Sequence, residues 1–397
     1  MNSTKSITVL GNYSGRNAGD AAILAGMFSD ISTLFPDVIF EVPSINPKFI
    51  SESYSNYSVR PVGLMPWNFS IKMLGMPTLL SIYRTDLTMI TDAILFDRKL
   101  FNPLFNYLST LAILIPLAKK MGKKIVLYNV SLGPVDTEMG KKLLKSILDQ
   151  ADCVILRDID SLHLLKSLGV ANTRIHLSAD SALNNKPAPK ERVKEIMEKE
   201  GISKNQKLIG FNINSYIDVF ISGDKKSLSR VEFTDIVAEV SDRIIKELNA
   251  ELIFIITQHM DVKIAQEAIG KIKNQNHVKL ISNSKYTHND IMGIMGELDL
   301  LIGMRTHSLI LASAMYVPLV GIIPYPKSRS FMREIGQEDR TIEFTNFNAE
   351  NLFALVKSTW DQREQIKEQL QPRIKKLKET ASGSANLLVE YIKEDFD

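Results

Sequence analysis

Apolar residues recur along the chain with two spacings, and these spacings alternate. Short continuous runs such as 7–10 and 252–257 are typical of buried strands, whereas apolar residues three or four apart, as in 20–34, predict helices. Strands that alternate with helices form a parallel sheet covered on both faces. The pattern therefore predicts an α/β fold.

The alternation occurs twice, which predicts two domains. A chain of 397 residues is also too long for one ordinary core. The charged, polar stretch 186–206 separates the two series and is predicted to be a linker with a surface helix. We expect Rossmann-like domains at 1–185 and 207–347, with a cleft between them, and helices at 348–397. Within the first domain, 43–77 is predicted to be irregular and 91–96 to be a strand.

One stretch of the second series predicts an anion site. The apolar run 298–302 indicates a buried strand, Gly303 ends it, and a helical pattern begins near Ser308. Arg305 and His307 lie between the strand and the helix. Backbone N–H groups and the positive helix end favour an anion at such a position. A phosphate or a carboxylate is the expected ligand, unless His307 is simply a helix-start residue satisfied by backbone.

The N-terminal strand, 6–10, is followed by a loop with glycines at 11, 15 and 19 and by a helix that begins near Asp20. These glycines do not match the dinucleotide-binding spacing, and no Lys-Ser/Thr pair follows to form a phosphate loop. Asp20 suits a ligand hydroxyl, or else it is a plain helix N-cap.

Composition excludes several function classes. A net charge of +3 gives no support to nucleic-acid binding. The single cysteine, Cys153, excludes an intramolecular disulfide and a cysteine-cluster metal site, and we predict that it is a small buried residue. No histidine or carboxylate pair has ligand spacing, so neither a metal nor a cofactor is predicted.

The sequence predicts a cytoplasmic protein. The first apolar run, 7–10, is a strand rather than a signal peptide. The most apolar stretch, 104–118, is interrupted by polar residues and is too short to span a bilayer. The stretch is followed by four lysines, Lys119, Lys120, Lys123 and Lys124. They form either the polar side of a surface helix or a basic patch that contacts the inner face of an anionic membrane.

Several short motifs together resemble the polysaccharide pyruvyl transferase family. In chain order they are Gly11-Asn12-Tyr13, Gly19-Asp20, Leu132-Gly133-Pro134, Arg157-Asp158, Asp180-Ser181-Ala182, Arg305-Thr306-His307 and Tyr325-x-Lys327. The resemblance extends over about residues 7 to 340. It implies two Rossmann-like domains in a GT-B-like arrangement, with the last helix crossing back to the first domain.

The resemblance also implies a reaction. Phosphoenolpyruvate would be the donor, a sugar of a bacterial surface polysaccharide or of its lipid-linked precursor the acceptor, and a cyclic pyruvyl ketal the product. Arg305 and His307 would bind the donor, Asp20 would activate the acceptor, and Arg157 would lie near the donor. Arg157 could instead form a strand-end ion pair with Asp158.

Chemistry adds further candidates. The donor carries a phosphate and a carboxylate, so it needs two or more cations; Lys327 is a third, and Ser308 a further donor contact. Histidine titrates near neutral pH, so His307 is the expected proton donor to the enol carbon and Asp20 the base. The expected acceptor contacts are Asn12, Tyr13, Asp97, Arg98 and His259.

One segment departs from the family pattern. Members commonly carry a Gly-Gly-Gly turn where this chain has Asp97-Arg98-Lys99. The replacement would mean a changed acceptor, a changed donor or a lost activity. Two alternatives therefore stay open: a GT-B glycosyltransferase that uses a nucleotide sugar, and an inactive family member that binds glycan.

Overall fold

The computed structural model describes residues 5–71, 74–91, 107–203, 205–215, 228–324 and 326–393. The chain forms two compact units. The first contains Met1–Gly15, Asp20–Asn184 and Leu377–Asp397, and the second contains Arg16–Gly19 and Asn185–Lys376. Each unit is an α/β domain built on a parallel sheet, which confirms the predicted fold class.

The first unit has a seven-stranded sheet in the order β3-β2-β1-β6-β7-β8-β9. Every neighbouring pair is parallel. A short antiparallel hairpin, β4–β5, lies outside this sheet. The strands are β1 (Ser6–Leu10), β2 (Ile39–Ser44), β3 (Val59–Gly63), β4 (Ser70–Ile71), β5 (Leu74–Gly75), β6 (Leu87–Ile90), β7 (Lys124–Val130), β8 (Cys153–Leu156) and β9 (Ile175–Leu177).

Helices cover both faces of this sheet. In β7, Leu127 packs into one apolar core, whereas Val126 and Tyr128 pack into the other, because successive strand residues point to opposite faces. The helices are α1 (Ala18–Leu34), α2 (Pro47–Ser53), α3 (Met76–Arg84), α4 (Tyr107–Lys120), α5 (Glu138–Gln150) and α6 (Ile159–Ser167).

The second unit has a six-stranded parallel sheet in the order β12-β11-β10-β13-β14-β15. Its strands are β10 (Lys207–Asn212), β11 (Ala250–Ile256), β12 (Val278–Ser282), β13 (Leu300–Gly303), β14 (Leu319–Ile323) and β15 (Thr341–Glu343). The remaining helices are α7 (Lys190–Lys199), α8 (Arg230–Leu248), α9 (Val262–Lys271), α10 (His288–Met295), α11 (Thr306–Ala314), α12 (Pro326–Glu334), α13 (Ala349–Asp361) and α14 (Arg363–Lys393).

The boundaries of the units differ from the predicted domains. The predicted linker, 186–206, is an integral part of the second unit, where the Ala188 N–H donates to the Asn289 carbonyl (2.9 Å). The last helix, α14, contributes its residues from Leu377 onward to the first unit. There the Ser384 hydroxyl donates to the Asn129 side-chain oxygen (2.7 Å). The family resemblance implied that the last helix returns to the first domain. Local polarity indicated neither this return nor the place of 186–206, because both depend on packing against distant elements.

One element prediction in the first unit was wrong. The stretch 43–77, predicted to be irregular, contains α2, β3 and the start of α3. Pro61 lies in β3, the edge strand, where a residue without an N–H donor is tolerated. The strand predicted at 91–96 lies, except for Thr91, outside the described residues; β6 ends directly before it, at Ile90.

The lysines that follow the apolar stretch belong to the end of α4 and the turn into β7. Lys119 pairs with Asp152 (2.8 Å), and the Lys123 ammonium donates to the Thr85 carbonyl (2.8 Å). Within the described ranges, no helix combines the length and the apolar character needed to cross a bilayer. Cys153 is buried as predicted, and burial raises the pKa of its thiol to about 11.

Candidate active site

The order of strands in the second sheet indicates where a ligand is expected to bind. The chain continues from β10 to β11 and β12 on one side, whereas β13 lies on the other side of β10. Ligands of open parallel sheets bind at the carboxyl ends of the strands where such a reversal occurs. Asn212 and Gly303 end the two strands and pair with each other. Arg305 follows two residues later.

Asn212 holds the backbone that leads into Arg305. Its side-chain oxygen accepts the Arg305 N–H (3.1 Å), and its carbonyl accepts the Met304 N–H (3.1 Å). Its side-chain NH₂ group donates to the Ile255 carbonyl in β11 (2.7 Å). The buried amide therefore ties β10, β11 and the turn after β13 together, and it fixes the backbone of Arg305.

A buried carboxylate fixes the Arg305 side chain. The Nε and Nη2 atoms donate to the two carboxylate oxygens of Asp261, the second at 2.8 Å. Asp261 is fully buried, the Arg305 side chain is 12% exposed, and the Ser215 N–H also donates to Asp261 (2.9 Å). Bidentate pairing of this kind sets both the position and the plane of a guanidinium. A ligand anion cannot use the same pair of N–H groups while Asp261 holds them.

The start of α11 is held by two hydroxyls. The Ser308 hydroxyl donates to the Arg305 carbonyl (2.7 Å), and Ser308 is fully buried, so its side chain closes the turn. The Thr306 hydroxyl is hydrogen-bonded to that of Ser328 in α12 (2.8 Å). A side chain at Gly303 would come within 2.6 Å of Leu309, so this turn requires glycine. The geometry gives Ser308 a structural role, and its predicted contact with the donor stays a prediction.

His307 packs against an early segment of the chain. An added Cβ at Gly19 would lie 2.5 Å from the Cβ, Cγ and Nδ1 atoms of His307. Backbone hydrogen bonds hold this segment: the Ala18 N–H donates to the Thr257 carbonyl (2.8 Å), and the His259 N–H donates to the Arg16 carbonyl (3.0 Å). Residues 16–19 are therefore held in the second unit by backbone hydrogen bonds, and the absence of a side chain at Gly19 allows this segment to approach His307 closely.

The other predicted contacts in this unit occupy nearby strand ends. His259 follows β11, its side chain is exposed, and its Nδ1 is hydrogen-bonded to the Ser284 hydroxyl (2.5 Å). Lys327 is half-buried in the first turn of α12, directly after β14. Strands β11, β10, β13 and β14 are consecutive in the sheet, so the sheet brings their ends to one edge.

The first sheet has its own reversal between β1 and β6. Asn12 and Tyr13 follow β1, and Asn12 is exposed whereas Tyr13 is buried. The Tyr13 ring lies so close to Gly11 that a side chain at Gly11 would clash with it. The Tyr13 carbonyl accepts the Ser44 hydroxyl (2.6 Å), which indicates a packing role. Asp97 and Arg98, predicted to contact the acceptor, lie outside the described residues.

Asp20 and Arg157 also belong to the first unit. Asp20 is a buried residue in the first turn of α1, and Asn17, not Asp20, accepts the Gly19 N–H at the helix start (2.9 Å). Arg157 forms a buried ion pair with Asp180 (2.8 Å).

The alternative that paired Arg157 with Asp158 was therefore wrong about the partner. Asp158 instead accepts hydrogen bonds from the Ser161 N–H and hydroxyl at the start of α6, both at 2.7 Å.

Sequence reasoning missed Asp261 and Asn212. Both lie at or just after the carboxyl end of a buried strand, the position where polar side chains reach a ligand edge, and that signal was available in the sequence. In the portion of the chain that the structure describes, no cluster of three His, Cys, Asp or Glu side chains could hold a metal ion.

Comparisons with known proteins agree with this architecture. A family model described as polysaccharide pyruvyl transferase matches residues 17–325. An amylovoran biosynthesis protein, AmsJ of Erwinia amylovora, is 21% identical, with 92% of this chain and 94% of that protein covered. Among solved structures, UDP-GlcNAc 2-epimerase of Neisseria meningitidis bound to UDP-GlcNAc is similar at a TM-score of 0.64 and 11% identity, covering 98% and 100% of the two chains.

HepE of Anabaena in complex with UDP-glucose is similar at a TM-score of 0.63 and 13% identity, with 98% of this chain and 99% of that chain covered. These structural likenesses support the fold: two Rossmann-like domains of the kind found in GT-B glycosyltransferases and related epimerases.

Proposed function

The chain belongs to the polysaccharide pyruvyl transferase family, and from this premise we propose that it transfers the pyruvyl group of phosphoenolpyruvate to a sugar. The acceptor would be a sugar of a bacterial surface polysaccharide or its precursor, and the product a cyclic ketal with release of phosphate. The observation that carries the proposal is the position of Arg305 and His307, directly after the strand reversal of the second sheet. AmsJ, by name an amylovoran biosynthesis protein, supports a biosynthetic role of this kind.

The donor has two anionic groups, and the second unit offers cations to both. Arg305 is held in a fixed plane by Asp261, so it is already oriented when a ligand arrives. Lys327 begins the helix after the neighbouring strand, β14. A guanidinium and an ammonium favour a carboxylate and a phosphate respectively by charge and geometry. Arg157 remains a predicted donor contact whose guanidinium pairs with Asp180.

The chemistry proceeds by an addition and then a displacement. His307 gives a proton to C3 of the enol, C2 becomes electrophilic, and an acceptor hydroxyl attacks it while Asp20 accepts the hydroxyl proton. A second hydroxyl of the same sugar then displaces phosphate from C2, which closes the ketal, and the proton of this hydroxyl leaves with the phosphate. General acid and base groups each contribute about 10²–10⁴-fold. The role of Asp20 as the base rests on the family membership, since Asp20 lies within the matched residues.

Phosphate release tests the proposal. Purified protein is given phosphoenolpyruvate and a panel of nucleotide sugars, lipid-linked glycans and polysaccharides, and phosphate and pyruvylated product are measured. We expect His307→Ala to lower turnover by about 10²–10⁴-fold and to leave phosphoenolpyruvate binding nearly intact. Arg305→Ala should abolish that binding. The exposed His277, on the same unit, provides the control: His277→Ala should change neither.

The same panel examines the alternative of a glycosyltransferase. The HepE structures contain UDP or UDP-glucose and share this fold. Release of UDP from UDP-glucose in the presence of a glycan, without phosphoenolpyruvate, would show that the protein is a glycosyltransferase and not a pyruvyl transferase. Glycan binding with no turnover of either donor would instead indicate an inactive member.

A further inference from the structure

The first unit carries a group of large exposed apolar side chains around the start of α3. They are Trp67, Phe69, Met76, Leu80 and Tyr83, hereafter the aromatic surface. Trp67 is 76% exposed, Phe69 86% and Tyr83 66%. Single exposed apolar residues are ordinary, but a group of them in one segment marks an interaction site.

Helix α3 carries apolar side chains on its exposed side as well as on its buried side. Met76, Leu80 and Tyr83 follow one another at helical spacing and are exposed, whereas Thr78, Ser81 and Ile82 are fully buried. The Ser81 hydroxyl donates to the buried carboxylate of Glu41 in β2 (2.7 Å). The buried side of α3 therefore combines the apolar Ile82 with polar contacts to the sheet, and the exposed apolar side chains have no place in this core.

The turn before α3 is built to present two rings. Phe69 has a φ of 56°, a left-handed conformation that bulky residues rarely adopt. The Asn68 side chain holds the turn, since it donates to the Gly63 carbonyl (3.1 Å) and accepts the Met65 N–H (3.1 Å). A side chain at Gly75 would lie 2.3 Å from the Phe69 carbonyl oxygen, so the turn packs tightly on the start of α3.

Basic side chains lie next to the aromatic surface. The Lys123 ammonium is 5.8 Å from the centre of the Tyr83 ring. Lys120 is exposed in the last turn of α4, and Lys119 and Lys124 flank it along the chain. The acidic groups in the same region are Asp152, paired with Lys119, Glu41, paired with Arg84, and the exposed Asp86. The lysines outnumber the acids that remain to neutralise them.

We propose that the aromatic surface docks on a lipid bilayer that contains anionic phospholipid. Tryptophan and other aromatic rings partition to the headgroup level of membranes, and nearby lysines are attracted to anionic headgroups. A two-fold contact between copies of this chain would place two sets of these lysines close together, which like-charge repulsion opposes. The lipid surface is the occupant that matches both the rings and the charge, and the inference does not depend on the proposed reaction.

Tryptophan fluorescence tests the docking directly. The chain has two tryptophans, and the second, Trp360, is buried, so Trp360→Phe leaves Trp67 as the only emitter. Vesicles of phosphatidylglycerol and phosphatidylcholine should shift its emission to the blue, and lipids with brominated acyl chains should quench it. Vesicles of phosphatidylcholine alone should act much more weakly, as should high salt. Unchanged emission with the anionic vesicles would overturn the proposal.

Co-sedimentation with the same vesicles tests the residues. Trp67→Ser/Phe69→Ser should lower the partition coefficient roughly tenfold or more, and Lys120→Glu severalfold, with circular dichroism unchanged. Val231, 62% exposed on α8 of the second unit, is the matched apolar control, and Val231→Ser should bind as the parent does. An equal loss in the control would refute the assignment. A dimer in sedimentation equilibrium that the double variant dissociates, without vesicle binding, would assign the surface to a second copy instead.

Discussion

Gly19→Ala is the sharpest test of the site, because the structure sets its consequence. The new Cβ would lie 2.5 Å from His307, whereas ordinary contacts begin at about 3.4 Å. The two groups must therefore separate by about 0.9 Å, the difference between those distances. Overpacking of this size costs about 1–3 kcal/mol, and the better helix propensity of alanine offsets part of it. A displacement near 1 Å at a reacting group lowers turnover by about 10²-fold.

The displacement can be observed without knowing the acceptor. The chain has six histidines, so the imidazole signals in a nuclear magnetic resonance spectrum are few, and His307→Ala identifies the signal of His307. We expect Gly19→Ala to move that signal and to lower pyruvyl transfer about 10²-fold, with phosphoenolpyruvate binding largely kept. Gly270→Ala is the matched control, since nothing lies within 4 Å of its new Cβ.

An unmoved His307 signal together with normal turnover in Gly19→Ala would refute the reasoning. So would the same changes in Gly270→Ala, because the effect could then not be assigned to the contact with His307. In the His307→Ala background, Gly19→Ala should lower turnover no further, since its target is already gone.

Two further predictions concern buried charges. Asp261→Asn should lower the free energy of unfolding by about 3–5 kcal/mol in denaturant, because it removes the carboxylate that pairs with the largely buried Arg305. The control is Asp235→Asn, which affects an exposed ion pair and should change the stability little. Equal losses in the two variants would contradict the prediction. Burial lowers the pKa of His288 from 6.5 to about 4, so the unfolded chain binds a proton first, and stability should fall by about 3 kcal/mol between pH 6.5 and pH 4. His288→Gln should lack that loss, and an unchanged pH slope in the variant would contradict the assignment.

The fold class could be predicted from the sequence because its signal is local. Continuous apolar runs such as 250–256 are buried along their whole length in parallel sheets, and helical spacing separates them. Predictions failed where a residue's role depends on position in the sheet. Pro61 looks like a strand breaker in the sequence, but it lies in an edge strand. In α3 both the buried Ile82 and the exposed Leu80 are apolar, so the pattern did not indicate which face is buried.

The candidate site was predictable to the extent that it follows one strand end. The strand, glycine and helix around Arg305 are contiguous, and the structure has them at β13, Gly303 and α11. Asp261 could not be paired with Arg305 in advance, because that pairing requires the order of strands β11, β10 and β13. The role of Ser308 was also hidden, since a hydroxyl at a helix start serves a turn or a ligand equally well in the sequence.

The pair Gly19-Asp20 shows how one motif combines two kinds of constraint. Gly19 belongs with the second unit and Asp20 with the first, so the boundary between the units falls at the peptide bond that joins them. The glycine is explained by sterics, because any side chain would displace His307. The aspartate lies in the first turn of α1, where Asn17 accepts the Gly19 N–H. The role that we propose for this buried carboxylate is that of the base for an acceptor hydroxyl. Asp20→Asn should therefore lower the release of phosphate from phosphoenolpyruvate, and a variant with normal turnover would remove Asp20 from the mechanism.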